Sequence, residues 1–203
     1  MIRRCKRFLR YFYNEPEVVI KGLGNKLIRI LSKSKKPDLT IYMGPPGIEH
    51  LKRYLLDRNI KNILEWGCGG STILFGKFLD DNGKNCVNWH SIEHDIVWYN
   101  KIKEKNTREN THIYYLPVDE NNHNDVKNKN YVEFPRTLGV KFDFVLVDAR
   151  YRCRCLIEAA KHLSPSGIVI LHDAPLRKQY HCAFQHYRYG KFTVGTIWEG
   201  TNE

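Results

Sequence analysis

Five residues of this 203-residue chain fall at the ends of expected strands with groups that can move protons or hold charge: Glu65, Glu93, Asp148, His172 and Asp173. Asp148 closes Phe-Asp-Phe-Val-Leu-Val, residues 142–147, and His172-Asp173 follow Ile-Val-Ile-Leu, residues 168–171. Two carboxylates and an imidazole placed in this way offer a general base near neutral pH or ligands for a hard metal ion. The sequence leaves two roles open for His172: the base itself, or the group that orients Asp148 or Asp173. Each position alone also reads as a solvated strand end. All of them at one sheet edge are hard to explain as packing and read as a site.

A second feature is the stretch Asn-Ile-Leu-Glu-Trp-Gly-Cys-Gly-Gly-Ser-Thr, residues 62–72, followed by an amphipathic run over 73–79. Residues 62–66 read as a buried strand, and Ser71 or Thr72 as the N-cap of a helix. Gly67, Gly69 and Gly70 remove Cβ atoms from the turn between them, so a ligand can approach the backbone. Backbone N–H groups and the helix dipole favour a carboxylate or phosphate there. Glu65 at the strand end would repel a pyrophosphate and welcome an ammonium, so a methionine-like zwitterion satisfies both features. Glu93 lies about 20 residues or more past the turn, the spacing at which a carboxylate accepts from ribose hydroxyls. Asp95 reads as the cap of a helix over 96–105.

These groups need a scaffold, and the hydrophobic pattern supplies one. The expectation is a turn at 43–47, a helix over 48–57, strands over 62–66, 88–93 and 112–118, and Asp119 at the end of the third. A polar loop without periodicity covers 121–130, and residues 131–137 return aromatic and charged groups to the core. Next come a strand ending at Asp148, a helix over 149–163, a turn at 164–167, a strand over 168–171, a helix over 175–187 and a last strand over 192–198. Alternating strands and helices over 60–175 predict a mostly parallel sheet with helices on both faces. Its right-handed crossovers place ligands beyond the strands' C-terminal ends.

At 24.0 kDa the chain has the size of one domain, and no apolar run approaches a membrane span. Cysteines at 5, 68, 86, 153, 155 and 182 form no CxxC pair, so free thiols in a reducing, cytoplasmic setting are expected. The first ten residues are basic with no apolar segment after them, so no secretory signal is indicated. The net charge of +11 attracts acidic partners: nucleic acid, anionic lipid or an acidic glycan. Residues 1–43 hold eleven Lys and Arg against three acidic residues, which sets a basic N-terminal helical segment apart from a domain over 44–203. That segment, with a Lys-rich linker over 32–38, reads as a solvated helical face. The sharper reading is a peripheral contact with an anionic membrane face or a phosphate backbone.

The motifs together resemble those of class I S-adenosylmethionine (SAM) methyltransferases, in the ExGxGxS variant of motif I formed by Glu65, Gly67, Gly69 and Ser71. Within that group the chain resembles a compact set of bacterial and large-DNA-virus enzymes. The matching stretches are 65–72, 91–95 with Trp98-Tyr99, 131–136, 142–150, and 171–174 with Arg177 and Tyr180. The resemblance implies a single-domain Rossmann-like α/β fold and SAM as cofactor. It places SAM contacts at Glu65, Gly67, Gly69, Ser71, Thr72, Glu93, Asp119 and Asp148, with Asp119 near the adenine. Related enzymes modify glycans, so it further implies O-methylation of a sugar hydroxyl, such as that of a deoxyhexose, in a cell that includes a virus-infected host. Asp148, His172 and Asp173 are then catalytic, and Arg150, Arg152, Arg177 and Tyr180 orient the acceptor.

Asp148 and Asp173 also resemble two of the three oxygen ligands by which catechol-type O-methyltransferases hold Mg²⁺, a role Mn²⁺ could share; the third position is Ala174. Ala149 stands where a glycine is expected. No Asp/Asn-Pro-Pro-Tyr segment is present, which counts against base N-methylation. An RNA or small-phenol acceptor is the nearest alternative, and a SAM-binding scaffold without catalysis is an alternative of another class.

Overall fold

A computed structural model describes residues 39–175 and 177–202, and the compact unit considered below starts at Ile41. The basic segment expected over 1–43 therefore lies outside the described residues except for its last few positions.

The described strands form one sheet: β1 (Asn62–Trp66), β2 (Asn88–Glu93), β3 (Thr111–Tyr115), β4 (Phe142–Val147), β5 (Leu163–Leu171), β6 (Tyr189–Phe192) and β7 (Trp198–Thr201). Their order is β3-β2-β1-β4-β5-β7-β6. The first five are parallel, and β7 runs antiparallel to both its neighbours. The helices are α1 (Pro45–Asp57), α2 (Gly70–Asp81), α3 (Ile96–Lys105), α4 (Val126–Glu133) and α5 (Arg152–His162). Two 3₁₀ segments cover Phe134–Leu138 and Lys178–His186.

Strand alternation sends neighbouring side chains into two separate cores. Ile63, Phe144, Leu146, Ile168 and Ile170 meet Leu51 and Leu55 of α1 and Phe75 and Leu79 of α2. Leu64, Trp66, Val145, Val147, Val169 and Leu171 meet Leu156 and Ala159 of α5 and Tyr131 of α4. Each such large side chain taken fully from water contributes about 1.5–3 kcal/mol, so the sheet edge carrying the polar residues rests on two packed layers.

The structure departs from the sequence expectations where local chemistry outweighs periodicity. α1 begins at Pro45, not after the prolines, because a proline at a helix start gives up no hydrogen bond. α2 begins at Gly70, ahead of the expected cap, and Thr72 accepts from the Gly69 N–H at 3.0 Å. β3 stops at Tyr115, short of Pro117, which has no N–H to give to a ladder. The polar loop over 121–130 is half helical: the Asp125 carboxylate accepts from the Lys127 N–H at 2.7 Å and starts α4. The buried Asn128 amide donates to the Asp119 and Asn122 carbonyls, which holds the rest of that loop.

α5 starts only at Arg152, since Tyr151 takes a left-handed φ of 54°. The expected turn at 164–167 is part of β5, absorbed as a register shift opposite Phe142 and Phe144. Residues 178–186 form a 3₁₀ segment instead of an α-helix. The last expected strand, 192–198, is mostly the turn of a hairpin whose arms are β6 and β7, with Gly195 at φ 66°.

Candidate active site

The strand order reverses direction between β1 and β4, the place where open α/β sheets form a crevice beyond their carboxyl ends. The turn after β1 and the turn after β4 face each other across it. A Cβ on Gly67 would lie 2.9 Å from the Ala149 Cβ and 3.2 Å from the Asp148 carbonyl oxygen, and Gly67 has φ 106°. This glycine therefore lets the two turns close on one another. A Cβ on Gly69 would meet nothing within 4 Å. The backbone at Gly69 thus faces open space at the start of α2.

Glu65 lies beneath that turn. It is fully buried, and its Oε2 accepts from Thr72 Oγ1 at 2.6 Å, Ser91 Oγ at 2.8 Å and Trp89 Nε1 at 3.0 Å. Oε1 accepts from Ser71 Oγ at 2.5 Å. Burial pushes its carboxyl up to about 7, and the hydrogen bonds from Ser71, Thr72, Ser91 and Trp89 oppose that rise. Glu65, Ser71 and Thr72 were expected to touch the cofactor. Their side chains form an internal knot that ties the glycine turn to β2, with Ser91 directly opposite Glu65 in the ladder. Ser91 and Trp89 are members of this network that the motif reading missed; their signal in the sequence was a polar side chain and an aromatic on the same face of β2.

Glu93 ends β2 at the open edge. Its Oε1 accepts from the His94 and Asp95 N–H groups, both at 2.8 Å, so the carboxylate has a fixed direction. The side chain is only 4% exposed, and His94 Nδ1 also lies 2.8 Å from Oε1; with about four acceptor sites, the carboxylate is not filled by these contacts. Asp95 caps α3, accepting from Val97 and Trp98 N–H. Asp119 lies four residues past β3. Its Oδ1 accepts from the Asn121 and Asn122 N–H groups and so shapes its own loop.

Across the crevice, Asp148 and His172 form a pair, with Nδ1 to Oδ2 at 3.0 Å. The imidazole side chain is 4% exposed, whereas those of Asp148 and Asp173 are 32% and 31% exposed. The two carboxylates are therefore the members of this cluster that reach solvent, while the imidazole is enclosed behind them. Burial works to lower the His172 pKa, but the Asp148 hydrogen bond and the Asp148 and Asp173 charges outweigh it and raise the pKa above its ordinary value. Asp173 has a left-handed φ of 61°, a conformation that is uncommon outside glycine and often held at functional positions.

Arg152 departs furthest from expectation. It was assigned to the acceptor, yet it is buried. Its guanidinium lies 2.7 Å from Asp148 Oδ1 and donates to the Ala149, His172 and Asp148 carbonyls. It stitches the turns after β4 and β5 together. Arg150 pairs with Glu120 at 2.8 Å, with both side chains exposed. Arg177 is the arginine left beside the carboxylates, 3.8 Å from Asp173 Oδ2 and donating to the Tyr180 hydroxyl at 3.4 Å.

Asp148, His172 and Asp173 offer atoms within 4.8 Å of one another, close enough to surround a cation. A cation placed there would share these carboxylates with a cation of the chain itself. Both Asp148 oxygens are engaged, by Arg152 and His172, and the Arg152 guanidinium already supplies positive charge 3.8 Å from Asp173.

Solved structures share this architecture. A methyltransferase-like protein from Silicibacter pomeroyi aligns with a TM-score of 0.62 at 22% identity, over 80% of this chain and 87% of that one. The fold is the Rossmann-like methyltransferase fold. A 16S rRNA N2 methyltransferase from T. thermophilus, solved with AdoMet and guanosine, aligns with a TM-score of 0.54 at 14% identity; the match covers 79% of this chain but only 44% of that one. A precorrin-6y C5,15-methyltransferase from Geobacter metallireducens gives 0.51 at 10% identity, over 82% and 97% of the two chains. No protein-family model and no curated protein matches the chain. At these identities the likeness establishes architecture, and the acceptor has to be argued from the site.

Proposed function

We propose that the chain transfers a methyl group from S-adenosyl-L-methionine to a hydroxyl of a carbohydrate. The observation that carries this reading is the pairing across one crevice of an open glycine backbone and a directed Glu93 with an accessible Asp148 held by a buried His172. When bound, the cofactor supplies a sulfonium methyl open to in-line attack. The opening at Gly69 and the N-terminus of α2 suit its carboxylate, and Glu93 suits its ribose.

On the other side Asp148 accepts the proton of the attacking hydroxyl. An alcohol needs such help because its own pKa is far above neutrality. His172 holds the carboxylate in place through its Nδ1 contact with Oδ2. Asp173, Arg177 and Tyr180 are grouped where they can hydrogen-bond an acceptor that carries several hydroxyls. Positioning of this kind supplies much of the rate of a simple displacement.

The deciding assay is release of S-adenosylhomocysteine over methyl glycosides, deoxyhexose oligosaccharides, a catechol and RNA, each with and without EDTA. Release with a sugar, unchanged by EDTA and lost in Asp148→Asn while SAM binding persists, is the expected outcome. Release with RNA alone would move the acceptor class to nucleic acid. SAM binding with no release on any acceptor would favour a non-catalytic scaffold.

A further inference from the structure

Outside the crevice, a pair of reactive groups stands out among the described residues. Cys153 in the first turn of α5 and Cys182 in the 3₁₀ segment place their Sγ atoms 3.1 Å apart, although they are 29 residues apart in the chain. Both are free thiols; Cys182 is exposed and Cys153 partly buried. Of the other described cysteines, Cys68 and Cys155 are buried and Cys86 is exposed.

The approach does not come from a loose loop. The segment carrying Cys182 is seated by the buried Ala183 and by Phe184, whose ring stacks on Trp198 at 3.9 Å and 2°. Just past the segment, the Tyr187 hydroxyl donates to the Leu156 carbonyl of α5 at 2.6 Å. With both backbones held, the sulfurs need to close by about 1 Å to reach the bonded distance of about 2.05 Å. The neighbours of the pair belong to the site: Arg152 precedes Cys153, and Arg177 and Tyr180 lie just before Cys182.

We propose that Cys153 and Cys182 are a reversible redox modification site, a dithiol that a small disulfide such as oxidised glutathione converts to an intramolecular bond clamping the 3₁₀ segment onto α5. The exposed Cys182 thiolate attacks one glutathione sulfur and expels the first glutathione, leaving a mixed disulfide on Cys182. Cys153 then gives its proton to solvent, and its thiolate attacks the Cys182 sulfur and expels the second glutathione. Two protein thiols are oxidised, and one glutathione disulfide is reduced to two thiols. This order follows from the environments: burial, together with the neighbouring Cys182, pushes the Cys153 thiol up to about 11, which makes it the slower attacker on a free oxidant. Bond formation is independent of the function proposed above; only the statement that the clamped segment borders the acceptor rests on it.

The test uses the full-length protein equilibrated with reduced and oxidised glutathione, then alkylated, digested and analysed by mass spectrometry. A Cys153–Cys182 cross-linked peptide, a protein mass lower by two hydrogen atoms and recovery by dithiothreitol are expected. Cys153→Ser should stop at a glutathione adduct on Cys182, and Cys182→Ser should take up neither. In the oxidised protein, limited trypsin cleavage after Arg177 and Lys178 should slow relative to the reduced protein. A persistent Cys182 adduct in the parent, or a bond from Cys182 to Cys5 or Cys86, would overturn the pairing. Unchanged cleavage would overturn the clamp. These readouts need no turnover, so a failed methyl-transfer assay and a failed thiol pairing are distinguishable.

Discussion

Replacing Glu65 with alanine should weaken the fold far more than replacing it with glutamine, and the difference can be worked from its partners. In Glu65→Ala, four donors lose their acceptor, three of them buried: the hydroxyls of Thr72 and Ser91 and the indole N–H of Trp89, with the half-buried Ser71 hydroxyl as the fourth. Hydroxyls can re-aim, but an indole N–H cannot. A buried donor left unpaired costs about 1–3 kcal/mol. With partial relief at the hydroxyls, the total comes to about 3–5 kcal/mol, a large share of the ~5–15 kcal/mol that holds a domain together. In Glu65→Gln, the amide oxygen can take the Oε2 position and keep its three donors. The amide NH₂ then faces Ser71, whose hydroxyl turns from donor to acceptor. The expected loss is below about 1 kcal/mol, since each partner of the network remains satisfied.

The pH dependence gives a second, independent reading. Burial lifts the Glu65 carboxyl from 4.5 to about 7, so between those values the folded state holds a proton that the unfolded state releases. Stability from this group therefore falls as pH rises through that window. Urea denaturation of the parent and of both variants at pH 5 and pH 8 tests both points. The parent should lose more stability than Glu65→Gln between the two pH values. Glu65→Ala within about 1 kcal/mol of the parent, or identical pH slopes for parent and Glu65→Gln, would refute the buried-knot account.

Glu93→Ala should weaken SAM binding by about 1–3 kcal/mol in calorimetry, the scale of charge-assisted hydrogen bonds; unchanged affinity would remove the ribose assignment. The raised pKa of His172 places the rise of kcat with pH above 6.5, as the imidazolium beside Asp148 gives up its proton. His172→Gln should erase that limb and lower kcat by about 10²-fold or more, while a limb that persists in the variant would assign it to another group. Arg108→Ala should cost about 3 kcal/mol in chemical denaturation. The buried Arg108 donates to Asp80 and to the Val87, Asn85 and Asn110 carbonyls, at 2.8, 2.6, 3.1 and 3.0 Å. A loss below about 1 kcal/mol would mean that water replaces those bonds readily.

The parallel core of the fold was legible because β4 and β5 are apolar runs followed by polar residues, and β1 and β2 carry an acidic residue at or next to their ends, which also fixes which sheet edge carries the site. What periodicity could not show was any element held by side chains bonding to backbone. α4 forms because Asp125 caps it and Asn128 is buried among carbonyls, and in sequence both look like members of an Asn-rich loop. The same limit applies within the site. Glu93 and Asp148 lie at the crevice as their positions suggested, but nothing in the motif around Glu65 shows whether its carboxylate faces a ligand or four internal donors. Ladder register decides it, by setting Ser91 opposite Glu65, and register is a property of two strands read together.

Arg152 shows how far this principle reaches. Its guanidinium sits at the N-terminus of α5, the end of a helix where a positive charge is disfavoured, and it is almost entirely removed from water. Both features cost free energy, which is offset by Asp148 and by three carbonyls from the turns after β4 and β5. A charge held against its helix dipole brings rigidity where rigidity matters: the two turns that carry Asp148, His172 and Asp173 cannot shift relative to one another without breaking several bonds to one side chain. The same guanidinium neutralises Asp148 from within the chain. The charge of the carboxylate pair is balanced by a residue that cannot dissociate, so the geometry of the proposed base is set by folding.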